Sequence, residues 1–274
     1  MVYKASKMIT KLSATKLESF VICPYRYYLK YVRRSLKSAP ATIHMVFGIL
    51  IHKVLENFIE YVTKSTLPED GNLLKFDLLN QLLRIFKQRI EEFKGRYPRA
   101  LAQLNMNEDY IFENYIETFF QWFMSYQLYT KNLRAEVEFS IPLLEVARTL
   151  PQDQLHPLYT KYKHILLTGK KDLVIGSDII VDFKTHYRPD KAALLLTSFQ
   201  TILYTLIDDM DMTFLYLYVK KPLKETRLQL AKAARLQKFN DLIEAIDRLS
   251  SVTKYNKNPK GCGGCIFRKL CLGK

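Results

Sequence analysis

Hydrophobic and polar positions follow two different periods along this chain, and the change of period marks its organisation. Leu17, Phe20 and Val21 recur at helical spacing behind Ser13. Thr15 and Glu18 stand three apart, the spacing of a capping box, so residues 13–21 are predicted as a helix. The Cys23-Pro24 step leads into an aromatic and basic run, residues 25–34, and then a loop around Pro40. Residues 43–62 read as a second amphipathic helix with His52 near its middle. Beyond a turn at Pro68 to Gly71, two long helical patterns, 73–93 and 105–129, are rich in Phe, Tyr and Leu at three- and four-residue spacing and form a helical insertion. The aromatic stripe from Phe119 to Tyr129 is expected to be the core of that insertion.

From Arg134 the period shortens to two. Val137, Phe139 and Ile141 alternate with Glu136, Glu138 and Ser140, as in a half-buried strand. Two apolar runs, 171–175 and 179–183, flank the turn-forming triplet Gly176-Ser177-Asp178 and predict a β-hairpin. If that turn centres on Ser177, residue 175 faces 179 and Asp172 faces Asp182, with Cβ atoms about 5 Å apart. A helix over 191–207, a strand over 213–219 and a helix over 228–249 complete the pattern. The resulting order, β-β-β-α-β-α behind leading helices, predicts an α/β fold with a mixed central sheet flanked by helices.

The hairpin carries the candidate chemistry. Two like charges opposed across a ladder destabilise it, so an Asp172–Asp182 pair beside Val, Ile and Phe calls for a compensating charge. A divalent cation supplies one, and two carboxylates suit Mg²⁺ or Mn²⁺. Lys184, two residues beyond Asp182, shares its face, where it could hold an attacking water and offset charge on a phosphorane. The plainer alternative is an exposed hairpin edge on which the lysine neutralises the aspartates.

Charge adds a partner. The 42 Lys and Arg against 27 Asp and Glu leave a net +15, which favours a polyanion, nucleic acid ahead of an anionic membrane or the ribosome. The opening residues lack the continuous apolar stretch of a secretory signal, and no apolar run nears the roughly 20 residues of a membrane span, so a soluble intracellular protein is expected. No G-x4-G-K-[ST] loop occurs, which excludes a Walker-type motor.

Four cysteines complete the inventory: Cys23, then Cys262, Cys265 and Cys271 as C-x2-C-x5-C. Four thiolates match one metal site. A structural zinc site more often uses two paired knuckles, whereas one distant ligand plus three close ones fits an iron-sulfur cluster clamping the two ends of the chain. Unrelated thiols, two of them a redox-sensitive C-x2-C pair, are the alternative.

Taken in order, LESFVICPYRYYLKYV, FGILIHKVLENF, RAEVEFSIPL, GKKDLVIGSDIIVDFKTH, QTILY and CGGCIFRKLC resemble the RecB-type nucleases of the PD-(D/E)XK superfamily. Within them the chain is similar to the branch with an iron-sulfur cluster, which includes the CRISPR-associated exonucleases and AddB-like nuclease domains. The resemblance runs from Leu17 to Cys271 apart from the insertion. It implies that His52, Asp172 and Asp182 ligate the catalytic Mg²⁺ or Mn²⁺, with the backbone carbonyl of Phe183 as fourth ligand. It makes Lys184 the catalytic lysine, Glu138 an accessory acid, Gln200 and Tyr204 the substrate-facing Q-x3-Y pair, and Cys23, Cys262, Cys265 and Cys271 the ligands of a [4Fe-4S] cluster.

The organisation that follows is a part carrying the first cysteine and the motif histidine (1–66), the helical insertion (67–132), the nuclease core (133–250) and a cluster-binding segment (251–274). The expected activity is metal-dependent exonucleolytic hydrolysis of DNA from single-stranded ends, 5′-to-3′ by resemblance, with protein partners in recombination or CRISPR adaptation. A noncatalytic DNA-end-binding or assembly module is the rival from another class. An iron-sulfur redox protein is the third, and it leaves the hairpin carboxylates unexplained.

Overall fold

A computed structural model describes residues 9–34, 43–102, 107–185, 198–208, 211–262 and 265–272. The elements that position the site are, in chain order, β1 (Lys11–Leu12), α1 (Ala14–Ile22), α2 (Pro24–Tyr27), α3 (Ile43–Lys64), α4 (Gly71–Arg96), α5 (Glu117–Ser125), β2 (Leu133–Pro142), β3 (Leu166–Ile175), β4 (Ile179–Lys184), α6 (Phe199–Ile207), β5 (Met212–Tyr218), β6 (Lys224–Leu230) and α7 (Arg235–Ser250). The predicted α/β class, with a mixed central sheet flanked by helices, is what is observed.

The hairpin forms in the predicted register, with Ile175 opposite Ile179, Val174 opposite Ile180 and Leu173 opposite Val181. Gly176 has φ +61°, the left-handed conformation that favours glycine in such a turn. β5 reads MTFLYLY and is buried on both faces, the expected pattern for an interior strand lying parallel to β4. Its other neighbour is a departure from the sequence reading. Residues 224–230 form an antiparallel edge strand on β5, so the last helix begins at Arg235 and not at 228. The predicted helix over 191–207 is described from Phe199 onward, and its first part lies outside the described residues.

Strand β3 is the hub. Along one edge it pairs with β2 over its full length, from Leu133 opposite Ile175 to Pro142 opposite Leu166. Its other edge is shared: β1 takes residues 166–167 and β4 takes 173–175. Between them, residues 168–172 have no ladder partner on that edge among the described residues. Side chains serve this stretch instead. Tyr204 donates its hydroxyl to the Lys170 carbonyl at 2.7 Å, and the Asp172 carboxylate accepts the Phe183 N–H at 2.8 Å.

The strand also changes face there. Leu167 lies in the core with α1, α6 and α7, whereas Leu173 and Ile175 lie in the core with α3, α4 and α5. The register places Glu136 opposite Asp172 at this point, and Glu136 has φ +52°, a left-handed conformation uncommon for a non-glycine residue.

The helical insertion does not pack by itself. Phe86, Tyr115, Phe119 and Phe123 share one core with Phe47 and Phe58 of α3 and with Val181, Phe183 and Leu217 of the sheet. Phe119, Phe120, Trp122 and Phe123 of the aromatic stripe are core, as expected, while Tyr126 is exposed; Phe119 meets Phe183 edge-on at 5.6 Å and Phe58 at 6.2 Å. No helix among the described residues is long and apolar enough to cross a membrane.

The two ends of the chain meet. Tyr28 stacks on Tyr255 at 5.0 Å, Phe267 packs against Tyr28 and Leu29, and Tyr25 N–H donates to the Asn256 carbonyl. The aromatic residues of the 25–34 run are therefore largely spent on packing, with Tyr27 and Tyr28 buried and Lys30, Arg33 and Arg34 exposed.

Candidate active site

The gap in the β3 ladder is where the sequence-predicted residues assemble. Asp172 comes from β3, Asp182, Phe183 and Lys184 from β4, His52 from the middle of α3, and Gln200 and Tyr204 from one face of α6. The Phe183 peptide is the hinge of the arrangement. Its N–H donates to Asp172 Oδ2, and its carbonyl accepts from His52 Nε2 at 3.0 Å. His52 Nδ1 stands 3.5 Å from the same Asp172 oxygen. The imidazole thus ties α3 to both strands of the hairpin.

Asp182 and Lys184 form an ion pair on the α6 side, where the lysine ammonium also lies 5.4 Å from the centre of the Tyr216 ring. Gln200 donates its side-chain amide to Asp182 Oδ1 and to the Tyr204 hydroxyl. α6 is held for this task at its start, where Ser198 caps it by accepting the Thr201 N–H. At its other end Arg235 donates to the Leu206 carbonyl, and Lys171 makes a buried ion pair with Asp208.

Exposure is graded across the site. The side chains of Asp182 and Asp172 keep only 4% and 15% of their surface, while Lys184 and His52 keep 35% and 32%. The carboxylates lie deepest, and Lys184 and His52 are the more exposed groups.

The electrostatics follow from two buried carboxylates beside one lysine. Burial and the Asp172 charge push Asp182 up, against the pull of Lys184 and His52. Burial also pushes Asp172 up, but the His52 hydrogen bond and charge, the Phe183 N–H and Lys184 outweigh it and hold its carboxyl below the usual range. Burial disfavours the charged forms of Lys184 and His52. The neighbouring aspartates more than offset this, so both are raised and Lys184 is an ammonium. Tyr204 is raised chiefly by burial and stays a neutral phenol.

Among the described residues no three His, Cys, Asp or Glu side chains converge into a group able to hold a metal ion; Asp172 is bonded to the Phe183 N–H and paired with His52, and Asp182 is bonded to Gln200 and paired with Lys184. The donor types nevertheless suit a hard cation. Oδ2 of Asp182 is buried and its close partner is the Lys184 ammonium. Two buried carboxylates beside one lysine leave negative charge that a divalent ion bound by oxygen would offset.

Two expected residues are placed differently. Glu138 is exposed and paired across the ladder with Lys170, outside the bonded set; the glutamate in register with Asp172 is Glu136, which contacts Lys170. Tyr204 is 3% exposed and its hydroxyl is committed to Lys170, so it supports strand β3 where a substrate contact was expected.

One residue was missed. Glu18, read as a capping-box partner, has its carboxyl raised chiefly by burial, with the opposed charges of Lys184 and Asp182 acting on it. The N-cap of α1 is Ser13, with no side-chain bond.

The cysteine segments lie in the corner where the chain ends meet. Cys23 is buried and its sulfur accepts the Asn258 N–H at 3.4 Å, while Asn258 donates its side-chain amide to the Ile22 carbonyl. Cys265 packs against the Tyr28, Leu29 and Phe267 cluster, and the Cys271 N–H donates to the Phe267 carbonyl. The Cys262 side chain lies outside the described residues.

A sequence model of the PD-(D/E)XK nuclease superfamily matches residues 11–272, a span that includes every residue of this site. No curated protein matches the chain.

Proposed function

The chain belongs to the PD-(D/E)XK nuclease superfamily, whose members are in general nucleases that use Mg²⁺ or Mn²⁺, and from that premise we propose that it is a metal-dependent exodeoxyribonuclease of the RecB type acting on single-stranded ends. The observation that carries this reading is the assembly of Asp172, Asp182 and Lys184 where the β3 edge facing β4 loses its ladder partner, two buried carboxylates beside one lysine.

Asp172, Asp182, His52 and the Phe183 carbonyl would hold the cation, which when bound polarises the phosphoryl oxygen and lowers the pKa of an attacking water. The remaining chemistry belongs to the chain. The Lys184 ammonium, kept charged by two carboxylates and partly open to solvent, orients the water by donating to it and stabilises the negative charge that develops on the phosphorane. Gln200 fixes Asp182 through its amide. The excess of basic residues supports a polyanionic substrate and carries no base information, so little sequence preference is expected.

The same reading assigns Cys23, Cys262, Cys265 and Cys271 to a [4Fe-4S] cluster joining the chain ends. The buried Cys23 sulfur with its N–H donor, and the packing of Tyr255, Cys265 and Phe267 on Tyr25, Tyr28 and Leu29, support it. The 5′-to-3′ direction and a setting in recombination or CRISPR adaptation, with protein partners there, belong to the same proposal. The test is incubation with 5′- and 3′-labelled single-stranded DNA in Mn²⁺ and in Mg²⁺, against an EDTA control, with end-blocked and circular strands beside the open ones. Progressive, metal-dependent shortening of open strands only is expected. Cleavage of circles would replace the exonuclease with an endonuclease, and binding without cleavage would leave the noncatalytic end-binding module.

A further inference from the structure

Tyr216 lies on β5 directly opposite Asp182 of β4, and the same register sets Lys184 opposite Tyr218. The period of two puts all four side chains on one face of the sheet. Lys184 reaches back along that face, so that its ammonium stands over the Tyr216 ring, 5.4 Å from the centroid and within the range of a cation–π contact.

The ring is held by its surroundings. Tyr216 is 1% exposed, and Phe214 meets it edge-on at 4.5 Å. Its hydroxyl lies 3.2 Å from Thr201 Oγ1 and 3.5 Å from Ser198 Oγ, at the start of α6, and those two oxygens are 2.9 Å apart. The same turn of α6 carries Gln200, whose amide holds Asp182.

A lysine in this place needs restraint without neutralisation. Its long stem is flexible, and the side chain keeps 35% of its surface. Asp182 restrains the ammonium, but as an anion that the nuclease reading also assigns to a cation. A ring face attracts the ammonium without a formal charge, which leaves its N–H donors available to water and phosphate.

We propose that Tyr216 is a positioning residue for Lys184: its ring face holds the ammonium in place beside Asp182, and its hydroxyl fixes the ring through Ser198 and Thr201. This rests on the nuclease reading above, and its test separates the two.

Two proteins of equal shape are compared. Tyr216→Phe keeps the ring and removes the hydroxyl; trifluorinated phenylalanine at the same position also drains negative charge from the ring face. Cleavage of labelled single-stranded DNA in Mn²⁺ should show kcat about three- to tenfold lower in the fluorinated protein than in Tyr216→Phe, with KM within about twofold. Because Tyr216 acts through Lys184, fluorination in the Lys184→Ala background should change the residual rate by less than about twofold. Magnetic resonance of the lysine ε-methylene protons supplies a metal-free readout. The Lys184 signal, identified by its absence from Lys184→Ala, should lie upfield of the other lysines in wild type and Tyr216→Phe and move back toward them on fluorination.

Equal kcat in the two phenylalanine proteins overturns the proposal, as does an equal loss when Lys184 is absent. If Tyr216→Phe fails to fold, ring-fluorinated tyrosine against wild type carries the same comparison. Absence of cleavage by wild type in every divalent metal would strike the nuclease reading instead, and a Lys184 signal unmoved by fluorination would then overturn the restraint by itself.

Discussion

Gly169 offers the sharpest test of how the site is built. It lies on β3 opposite Phe139 of β2, and a Cβ added there would stand 2.3 and 2.6 Å from two carbons of the Phe139 ring. Ordinary carbon contacts begin near 3.5 Å, so something must move by about an ångström. The ring is not free to yield. It meets Tyr204 edge-on at 6.1 Å, and Tyr204 is buried and bonded to Lys170. If the ring stays, the strands part, an overpacking cost of about 1–3 kcal/mol. If it swings outward, it loses the aromatic pair, worth about 0.5–1.5 kcal/mol, together with part of its burial.

Either route predicts that Gly169→Ala costs about 1–3 kcal/mol. At roughly 2–4 °C per kcal/mol for a chain of this size, the thermal midpoint should drop by about 2–12 °C. Gly48, inside α3, is the control. A Cβ there meets only Thr185 Oγ1, at 3.9 Å, so Gly48→Ala should gain helix propensity and stabilise by up to about 1 kcal/mol. Thermal unfolding by circular dichroism measures both. Phe139→Ala placed in the Gly169→Ala background should recover part of the loss, with a coupling above about 1 kcal/mol. A Gly169→Ala protein as stable as wild type, or shifts of the same sign in both alanine variants, would refute the reasoning.

Three further predictions concern the chemistry. Lys184→Ala should reduce cleavage by about 10² to 10³ while DNA binding changes little, because its charge matters most in the transition state; more than about a tenth of wild-type rate in a gel assay would contradict the assignment. Asp172→Asn and Asp182→Asn should each weaken Mn²⁺ binding by calorimetry, and unchanged affinity in both would exclude them as ligands. Protein purified without oxygen should be brown from thiolate-to-iron charge transfer and lose its colour with Cys23→Ser as fully as with Cys265→Ser, whereas colourless protein with stoichiometric zinc would mean a structural zinc site.

Much of the architecture was legible because the signals were local. The hairpin announced itself through a turn triplet between apolar runs, and α1, α3, α4 and β5 through periods that survive in isolation. The failures fall where a neighbour defines the element. Residues 224–230 are mostly polar, KETRLQL, and Leu228 and Leu230 read equally well as the start of a helix; only the seven-residue ladder with β5 makes them a strand. β1 is two residues long and has no period to read.

The site divides the same way. Asp172, Asp182 and Lys184 could be placed together because a hairpin register fixes them within a few residues of each other. Glu136 and Glu138 could not be told apart, since alternation assigns both to one polar face, and the left-handed backbone at Glu136 that separates them is a tertiary property. Glu18 was hidden by a sufficient local explanation, its spacing from Thr15. The charges that act on it are those of Lys184 and Asp182, which only the packing of α1 against α6 brings near. Tyr204 was read for its hydroxyl, and that hydroxyl is consumed by the strand. A sheet that opens at residues 168–172 must satisfy the freed backbone groups some other way. Tyr204 does so at Lys170, and Asp172 and His52 do so at Phe183. The side chains that keep the gap open are thus largely those proposed to work inside it, and for that reason a substitution at Gly169, outside the proposed ligand set, should register in both stability and rate.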